Sequence, residues 1–154
     1  MVPFNDGTAY HEAGHAVIAL ALGRSVDRVT IVPDQERAGL CEFRKGAIRR
    51  SEDWLEREIL IALGGIAAEA RHTGTYAWDG AARDEQVVRS LAVQRAGERR
   101  AERLQRRLLA KVDHLLSREG HWRAVEVIAA ELMRLGTISG RTARHLFEQA
   151  CVEC

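Results

Sequence analysis

The stretch Thr8-Ala-Tyr-His-Glu-Ala-Gly-His-Ala-Val-Ile-Ala-Leu-Ala-Leu22 decides the fold of this 154-residue chain. Asn5 and Asp6 offer capping oxygens before it, and Gly23 is a typical residue at a helix end. We therefore expect a helix over residues 8–22. Every residue from 16 to 22 is apolar, which predicts that this helix is buried on nearly all sides at the centre of a small domain.

A small hairpin is expected next along the chain. Residues 25–32 are rich in β-branched side chains and are followed by Pro33. Residues 39–44 alternate between apolar and polar side chains. This pattern predicts two strands joined by a loose loop. Because two strands alone are marginally stable, the hairpin must pack against helices or a third strand.

The remaining residues predict helices. A second helix is expected over residues 51–73, with Ser51 as its cap. Gly64 and Gly65 lie in its middle, where each costs about 1 kcal/mol relative to alanine, and this cost indicates close packing against another backbone. Residues 81–149 are expected to be helical, with interruptions near Gly97, near Gly120 and over residues 136–140.

The predicted fold class is therefore mainly α (α+β), with a β-hairpin or short sheet beside the central helix. We expect one domain over residues 1–154. In it, residues 1–80 hold the central helix, the hairpin and the second helix, and residues 81–154 hold the other helices.

The composition limits the class of protein. The chain is 46% hydrophobic and 29% charged, as in folded soluble domains, and its net charge of +1 gives no general reason to expect a nucleic-acid partner. The longest apolar run, residues 59–68, is half the length of about 20 residues that a membrane span needs. The absence of a signal-type apolar run and the three cysteines without framework spacing favour a cytoplasmic location.

Residues 89–107 depart from this charge balance because they hold seven arginines and two glutamates. A basic helix can bind nucleic acid or an acidic partner. A solvated helix face is the commoner meaning of such a pattern, and arginine outnumbers lysine by 21 to 2 in the whole chain. We therefore expect no nucleic-acid partner.

The segment His11-Glu12-Ala13-Gly14-His15 carries the chemistry. On a helix the two histidines differ by about 40° in azimuth and about 6 Å in rise, so both imidazoles can reach one ion. Zinc accepts histidine nitrogen and keeps a position for water in catalytic sites. Glu12 lies about 60° around the helix from His15, where its carboxylate can take the proton of that water and later give it to a leaving amine.

Two histidines at this spacing also occur by chance as ordinary surface or core residues. Here they lie in an otherwise apolar helix, where burying them with a glutamate costs several kcal/mol unless a metal pairs with them. A zinc site needs a third protein ligand, and the candidates are Glu69, Asp79, Asp84 and His72. Spacing does not choose among them, and the donor types also suit other divalent ions.

Three stretches resemble the FtsH-type ATP-dependent zinc proteases. Thr8-Ala-Tyr-His-Glu-Ala-Gly-His-Ala-Val17 resembles the active-site helix of that family over all ten positions. Leu63-Gly-Gly-Ile-Ala-Ala-Glu69 resembles the second signature, with Ile66 in place of the usual arginine. Gly80-Ala-Ala-Arg-Asp84 resembles the third, whose aspartate binds zinc. Residues 132–146 are similar to the closing helical pair of the family.

The resemblance implies Zn²⁺ on His11, His15 and Asp84, with Glu12 as the general base of peptide-bond hydrolysis. Glu69 falls on the first glutamate of the family's Ala-Ala-Glu-Glu. It is expected either to orient a ligand histidine from outside the ligand shell or to be an ordinary helix-cap or salt-bridge carboxylate.

The proteases of this family carry a membrane anchor and an ATPase module before the peptidase domain. This sequence has no Gly-x-x-x-x-Gly-Lys-Ser/Thr loop and begins ten residues before its first ligand. We therefore expect a stand-alone, ATP-independent metalloendopeptidase that cleaves flexible or unfolded polypeptides laid along the edge of residues 39–44. A homo-oligomer or a separate ATPase partner is also possible.

Two alternatives stay open. One is a zinc-stabilised adaptor or regulator that keeps the peptidase fold without catalysis, which predicts bound zinc and no turnover. The other is a peptidase that cleaves one specific regulatory protein, which general substrates would not detect.

Overall fold

The computed structural model of the chain describes residues 4–43, 54–76 and 82–152. In these ranges it contains six helices and a three-stranded antiparallel sheet, which confirms the mainly α fold class with a short sheet. In chain order the elements are α1 (Asp6–Ala21), β1 (Val26–Thr30), β2 (Leu40–Phe43), α2 (Trp54–Thr73), α3 (Ala82–Ala96), α4 (Ala101–Ser117), α5 (Glu119–Leu135), β3 (Thr137–Ser139) and α6 (Gly140–Val152).

Helix α1 is the buried centre of the molecule, as the sequence predicts. The side chain of Asn5 accepts a hydrogen bond from the backbone N–H of Thr8 at 3.2 Å, and Gly23 takes a φ of +80° just beyond the helix end. Residues 11–19 are all buried, mainly between α2 and α5. The polar motif of this helix therefore lies inside the fold rather than on its surface.

The close approach predicted from the glycines of α2 is confirmed where α1 crosses α2. A Cβ atom on Gly14 would lie 2.3 Å from the carbonyl oxygen of Gly64. A Cβ atom on Gly64 would lie 2.8 Å from a side-chain carbon of Ile18. Since real Cβ atoms do not approach so closely, the two backbones touch here, and the histidine face of α1 is held against α2.

The sheet has the order β2-β1-β3, so Val29 of the central strand pairs with Cys41 on one side and with Ile138 on the other. Strand β3 differs from the sequence prediction, which made residues 136–140 an interruption between helices. Ile138 is buried in the core, and the hydroxyl oxygens of Thr30 and Thr137 lie 2.7 Å apart. Three residues are too few to give an alternating pattern, and long-range pairing forms this strand.

The second half of the chain packs through aliphatic side chains. In α4 these are Leu104, Leu108, Val112 and Leu116, all buried at helical spacing. They join a single connected core that includes residues of all six helices and three strands. Among the described residues, no helix is both long and apolar enough to span a bilayer.

The predicted helix interruptions are close to the observed ones. Gly97 and Gly136 take positive φ angles at the ends of α3 and α5. The break near Gly120 lies at Arg118, and Gly120 itself is buried in the first turn of α5. The predicted cap Ser51 lies outside the described residues.

Candidate metal centre

Side chains from α1 and α3 converge at one point. The Nε2 atom of His11 lies 2.7 Å from Oδ2 of Asp84, and Nε2 of His15 lies 3.2 Å from the same oxygen. The two imidazoles stand edge to face with ring centroids 4.8 Å apart. Of the candidates for a third ligand that the structure describes, the fold brings Asp84 to the Nε2 atoms of both histidines.

The remaining nitrogen of each ring is held from α2. His15 Nδ1 lies 2.8 Å from the carbonyl oxygen of Ile61, and His11 Nδ1 lies 3.2 Å from Oε1 of Glu69. A carbonyl oxygen and a carboxylate can only accept, so both Nδ1 atoms carry the ring proton. A neutral ring with this tautomer turns its Nε2 lone pair toward Asp84, whereas a ring that carries a second proton donates from Nε2 to the same oxygen.

This arrangement fits a divalent cation. When neither Nε2 atom carries a proton, two nitrogen lone pairs and one carboxylate oxygen meet, from His11, His15 and Asp84. Three acceptors repel one another unless a cation or added protons lie between them. Two imidazoles and one carboxylate are a ligand set that zinc accepts in catalytic sites.

The electrostatics of the cluster agree with this fit. Burial lowers the pKa of His11, but its hydrogen bonds with Asp84 and Glu69 outweigh burial and raise the pKa to about 10. Burial raises the pKa of Asp84, but the charges and hydrogen bonds of His15 and His11 hold it well below its usual range. Protons and a divalent cation therefore compete for the same atoms.

Glu12 is a buried carboxylate beside this cluster. Its carboxylate oxygen and the nitrogens of His11 and His15 lie within 4.8 Å of one another. Burial raises its pKa, while the charges of His15 and His11 partly oppose that effect. Within the described ranges its side chain has no hydrogen-bond partner, and it lines an open cleft.

The cleft has a volume of about 700 Å³ and lies between α1, β2 and the first turns of α3. Gly39, just before β2, and Leu40, Cys41 and Phe43 of β2 form part of its wall. A Cβ atom on Gly39 would lie 2.9 Å from Cγ of Glu12, so the glycine leaves room for that side chain. The edge of β2 that does not pair with β1 has no strand partner among the described residues.

One other sequence candidate, His72, lies elsewhere. The Nε2 atom of His72 lies 2.5 Å from Oδ2 of Asp6, and its ring stacks on Tyr10 with centroids 3.6 Å apart. His72 therefore holds the ends of α1 and α2 together outside the cluster. Asp79 lies outside the described residues, as does Arg44 at the end of the predicted edge strand.

Sequence reasoning missed two parts of this site. One is the carbonyl of Ile61, which no side-chain pattern can reveal. The other is Gly65, where a Cβ atom would lie 2.5 Å from Nε2 of His15 and 2.8 Å from Cδ2 of His11. Gly65 was noticed in the sequence, but there it predicted close packing of two helices and not close contact with the imidazole rings of His11 and His15.

Comparison with known proteins places this geometry in a family. Residues 5–98 match the model of peptidase family M41. The ATP-dependent zinc metalloprotease FtsH of Ruminiclostridium cellulolyticum is 47% identical over 68 residues, which are 40% of this chain and 11% of that protein. FtsH of Chlamydia trachomatis is 35% identical over 92 residues, which are 54% of this chain and 10% of that protein.

A third relative, ATP-dependent zinc metalloprotease FtsH 4 of Sorangium cellulosum, is 33% identical over 90 residues, which are 55% of this chain and 14% of that protein. The chain thus spans between 10% and 14% of the length of these curated relatives. Because the family model covers more than half of the 154 residues, including the converging side chains of α1 and α3, the chain belongs to peptidase family M41.

Proposed function

We propose that this protein is a zinc-dependent endopeptidase that hydrolyses peptide bonds in flexible or unfolded polypeptides. The observation that carries the proposal is the meeting of two imidazole nitrogens and one carboxylate oxygen beside the buried carboxylate of Glu12. Membership in a peptidase family and the names of the relatives support it.

His11, His15 and Asp84 would hold the ion. When bound, zinc supplies Lewis-acid chemistry, because it lowers the pKa of water and polarises the carbonyl of the scissile bond. Glu69 and the carbonyl of Ile61 fix the orientation of the two rings from behind. Such outer partners keep ligand nitrogens aimed at a metal.

Glu12 moves the proton in the proposed reaction. Its carboxylate accepts a proton from the attacking water, and the resulting acid donates that proton to the leaving amine, so the residue ends as it began. Burial raises the pKa of Glu12 from its usual value toward neutral pH. A carboxyl group with a raised pKa holds the proton more readily until it donates it to the leaving amine.

The substrate is proposed to bind along the edge of β2 that has no strand partner among the described residues. Unpaired backbone groups of an edge strand can pair with an extended polypeptide, and this strand forms a wall of the cleft that holds Glu12. A flexible or unfolded segment can adopt this extended form without first losing structure of its own, which motivates the proposed substrate class.

The proposed hydrolysis uses only water, a bound zinc ion and the carboxylate of Glu12, so we propose that cleavage of unfolded chains by this domain requires no ATP. A folded substrate would need a separate ATPase partner to unfold it first. A homo-oligomer of this chain is a further proposal that size measurement in solution tests.

The test is cleavage of an unfolded, fluorescently labelled protein by the wild type and Glu12→Gln, each with measured zinc content and without ATP. We expect turnover by the wild type and none by the variant at equal zinc. Glu102→Gln, an exposed change of the same type on α4, is the matched control and should cleave like the wild type. Removing zinc with a chelator should stop turnover, and adding zinc should restore it.

Two results would overturn the proposal. Equal cleavage by Glu12→Gln and the wild type would remove Glu12 from the mechanism. Full zinc occupancy with no turnover of any unfolded substrate would instead favour a zinc-stabilised adaptor or regulatory module.

A further inference from the structure

Two arginines line the same cleft as Glu12. Arg37 lies in the loop between β1 and β2, and Arg83 lies in the first turn of α3, directly before Asp84. Both side chains are exposed, and neither guanidinium has an ion pair or a hydrogen bond within the part of the chain that the structure describes. Their donors are available to a group that enters the cleft.

Both guanidinium groups act on the same carboxylate, that of Asp34. Backbone N–H groups of Glu36 and Arg37 lower the pKa of Asp34, and the charges of Arg37 and Arg83 lower it further. The carboxylate of Asp34 is therefore stabilised in its charged form by both arginines. Its Oδ1 atom accepts the N–H of Glu36 at 2.8 Å and that of Arg37 at 2.7 Å, so it holds the loop in shape rather than pairing with either guanidinium.

The other acidic side chains of the cleft are mostly engaged. Asp84 and Glu69 contact the histidines, and Glu58 accepts a hydrogen bond from Arg24 at 3.2 Å. Glu36 also lines the cleft and is exposed. Among the described residues, the carboxylates of the cleft without a hydrogen-bond or ion-pair partner are Glu36 and the proposed base Glu12, beside two unpaired guanidinium groups.

These arginines are close to the proposed reaction centre. Arg83 is the neighbour of a proposed zinc ligand, and the charge of Arg37 lowers the pKa of Glu12 against the effect of burial. An extended polypeptide advances about 3.3 Å per residue. A group held by these arginines would therefore lie within a few residues of the bond above Glu12.

We propose that Arg37 and Arg83 form a carboxylate-binding subsite that favours polypeptides with an acidic side chain, or a free C-terminal carboxylate, within a few residues of the scissile bond. The guanidinium fork matches the geometry of a carboxylate. The subsite deepens the proposed function and rests on it.

The experiment uses fluorogenic peptides that share one sequence and an amidated C-terminus. A Glu, Gln or Lys residue is placed in turn at each of the three positions on either side of the cleaved bond. A further Gln peptide carries a free C-terminal carboxylate within the same distance. The enzymes are the wild type, Arg37→Gln, Arg83→Gln, the double variant and Arg106→Gln, an exposed arginine on α4 outside the cleft.

At low salt the wild type should cleave the best Glu peptide about tenfold faster in kcat/KM than its Gln partner, and the Lys peptide more slowly still. In the double variant the ratio of Glu to Gln cleavage should fall to within about twofold of one. Arg106→Gln should keep the wild-type ratio. Raising the salt to 0.5 M should weaken the preference, since exposed charges are screened.

The free-carboxylate peptide distinguishes the two sources of the ligand. Faster cleavage of internal Glu peptides assigns the subsite to acidic side chains. Faster cleavage only of the peptide with the free C-terminus assigns it to the chain end and predicts trimming of polypeptide ends.

Binding of the same peptides to zinc-loaded Glu12→Gln, measured by fluorescence anisotropy, separates this proposal from the proposed function. Cleavage with equal rates and equal binding for Glu and Gln peptides would overturn the subsite and leave the peptidase standing. Tighter binding of Glu peptides without any wild-type cleavage would overturn the peptidase and support the subsite. Neither cleavage nor binding of any peptide would overturn both.

Discussion

Two histidine–carboxylate pairs join the same two helices, with their partners reversed. His11 of α1 meets Glu69 of α2 at 3.2 Å, and His72 of α2 meets Asp6 of α1 at 2.5 Å. The first pair is partly buried, with side chains 10% and 21% exposed. The second lies at the surface, with side chains 30% and 59% exposed. By residue type alone the two pairs are equivalent.

They differ in what the rest of each histidine faces. The Nε2 atom of His11 turns toward Asp84 and the neighbouring imidazole of His15. In the other pair, Asp6 already occupies Nε2 of His72, and Tyr10 covers the ring face. A histidine–carboxylate contact therefore does not by itself indicate a metal site. The better indication of a candidate metal site is that the second nitrogen of the histidine points toward a cluster of other acceptor atoms.

The sharpest break between the pairs is expected in zinc binding. His11→Ala removes a proposed ligand, so its zinc affinity should fall by more than about 100-fold, because loss of an outer partner alone costs about 10–100-fold. His72→Ala should bind zinc within about twofold of the wild type. Titration against a competing chelator measures both. An equal loss in the two variants would mean that His72, and not only the cleft cluster, holds the metal.

Substitutions of the two carboxylates should also differ in their effect on zinc affinity. Glu69→Gln keeps an acceptor for His11 but removes the charge that supports its ring, and we expect zinc affinity to fall about 10–100-fold. Asp6→Asn makes the same chemical change in the exposed pair and should leave zinc affinity unchanged. Chelator competition at one fixed pH gives both values. Unchanged affinity in Glu69→Gln would make that residue an ordinary salt-bridge carboxylate.

One glycine near each pair allows a steric clash to be compared with backbone strain when alanine replaces the glycine. Gly65→Ala would place a Cβ atom 2.5 Å from Nε2 of His15, so it should cost about 1–3 kcal/mol of unfolding free energy and also weaken zinc binding. Gly74→Ala, two residues after His72, has open space but a φ of +89°. It should cost about 1–2 kcal/mol through backbone strain alone.

Urea unfolding and zinc titration of both glycine variants separate the two causes. The expected pattern is a loss of stability in both and a loss of zinc affinity only in Gly65→Ala. If Gly65→Ala bound zinc like the wild type, the imidazoles would not rest on this backbone as the contacts indicate.

The smallest effect is expected from the exposed pair itself. His72→Gln should lower the unfolding free energy by about 0.2–1 kcal/mol, the usual range for a surface ion pair. Because salt screens such pairs, the difference from the wild type should shrink in 0.5 M NaCl. Urea unfolding at both salt concentrations tests this. A loss of several kcal/mol would show that the ends of α1 and α2 depend on this clamp far more than its exposure suggests.

Local patterns in the sequence account for much of the fold. The apolar run of residues 16–22, the cap at Asn5 and the glycine after the helix predicted α1, and β-branched alternation predicted β1 and β2. Strand β3 was missed because its three residues are held by Thr30 and Val29, more than 100 residues away in sequence. Local periodicity carries no information about such a partner.

The sequence by itself determined the chemistry that α1 offers, since a helix with the spacing of His11 and His15 puts both imidazoles on one face. It did not choose the third partner from composition or spacing. The resemblance of residues 80–84 to a family signature pointed to Asp84, and the tertiary structure supplied the contact, because Asp84 is 73 residues from His11 and reaches it through the packing of α3 on α2. The same packing turned His72 toward Asp6 and Glu69 toward His11. Which face of a helix a side chain occupies follows from local geometry, whereas what it meets there depends on contacts distant in sequence.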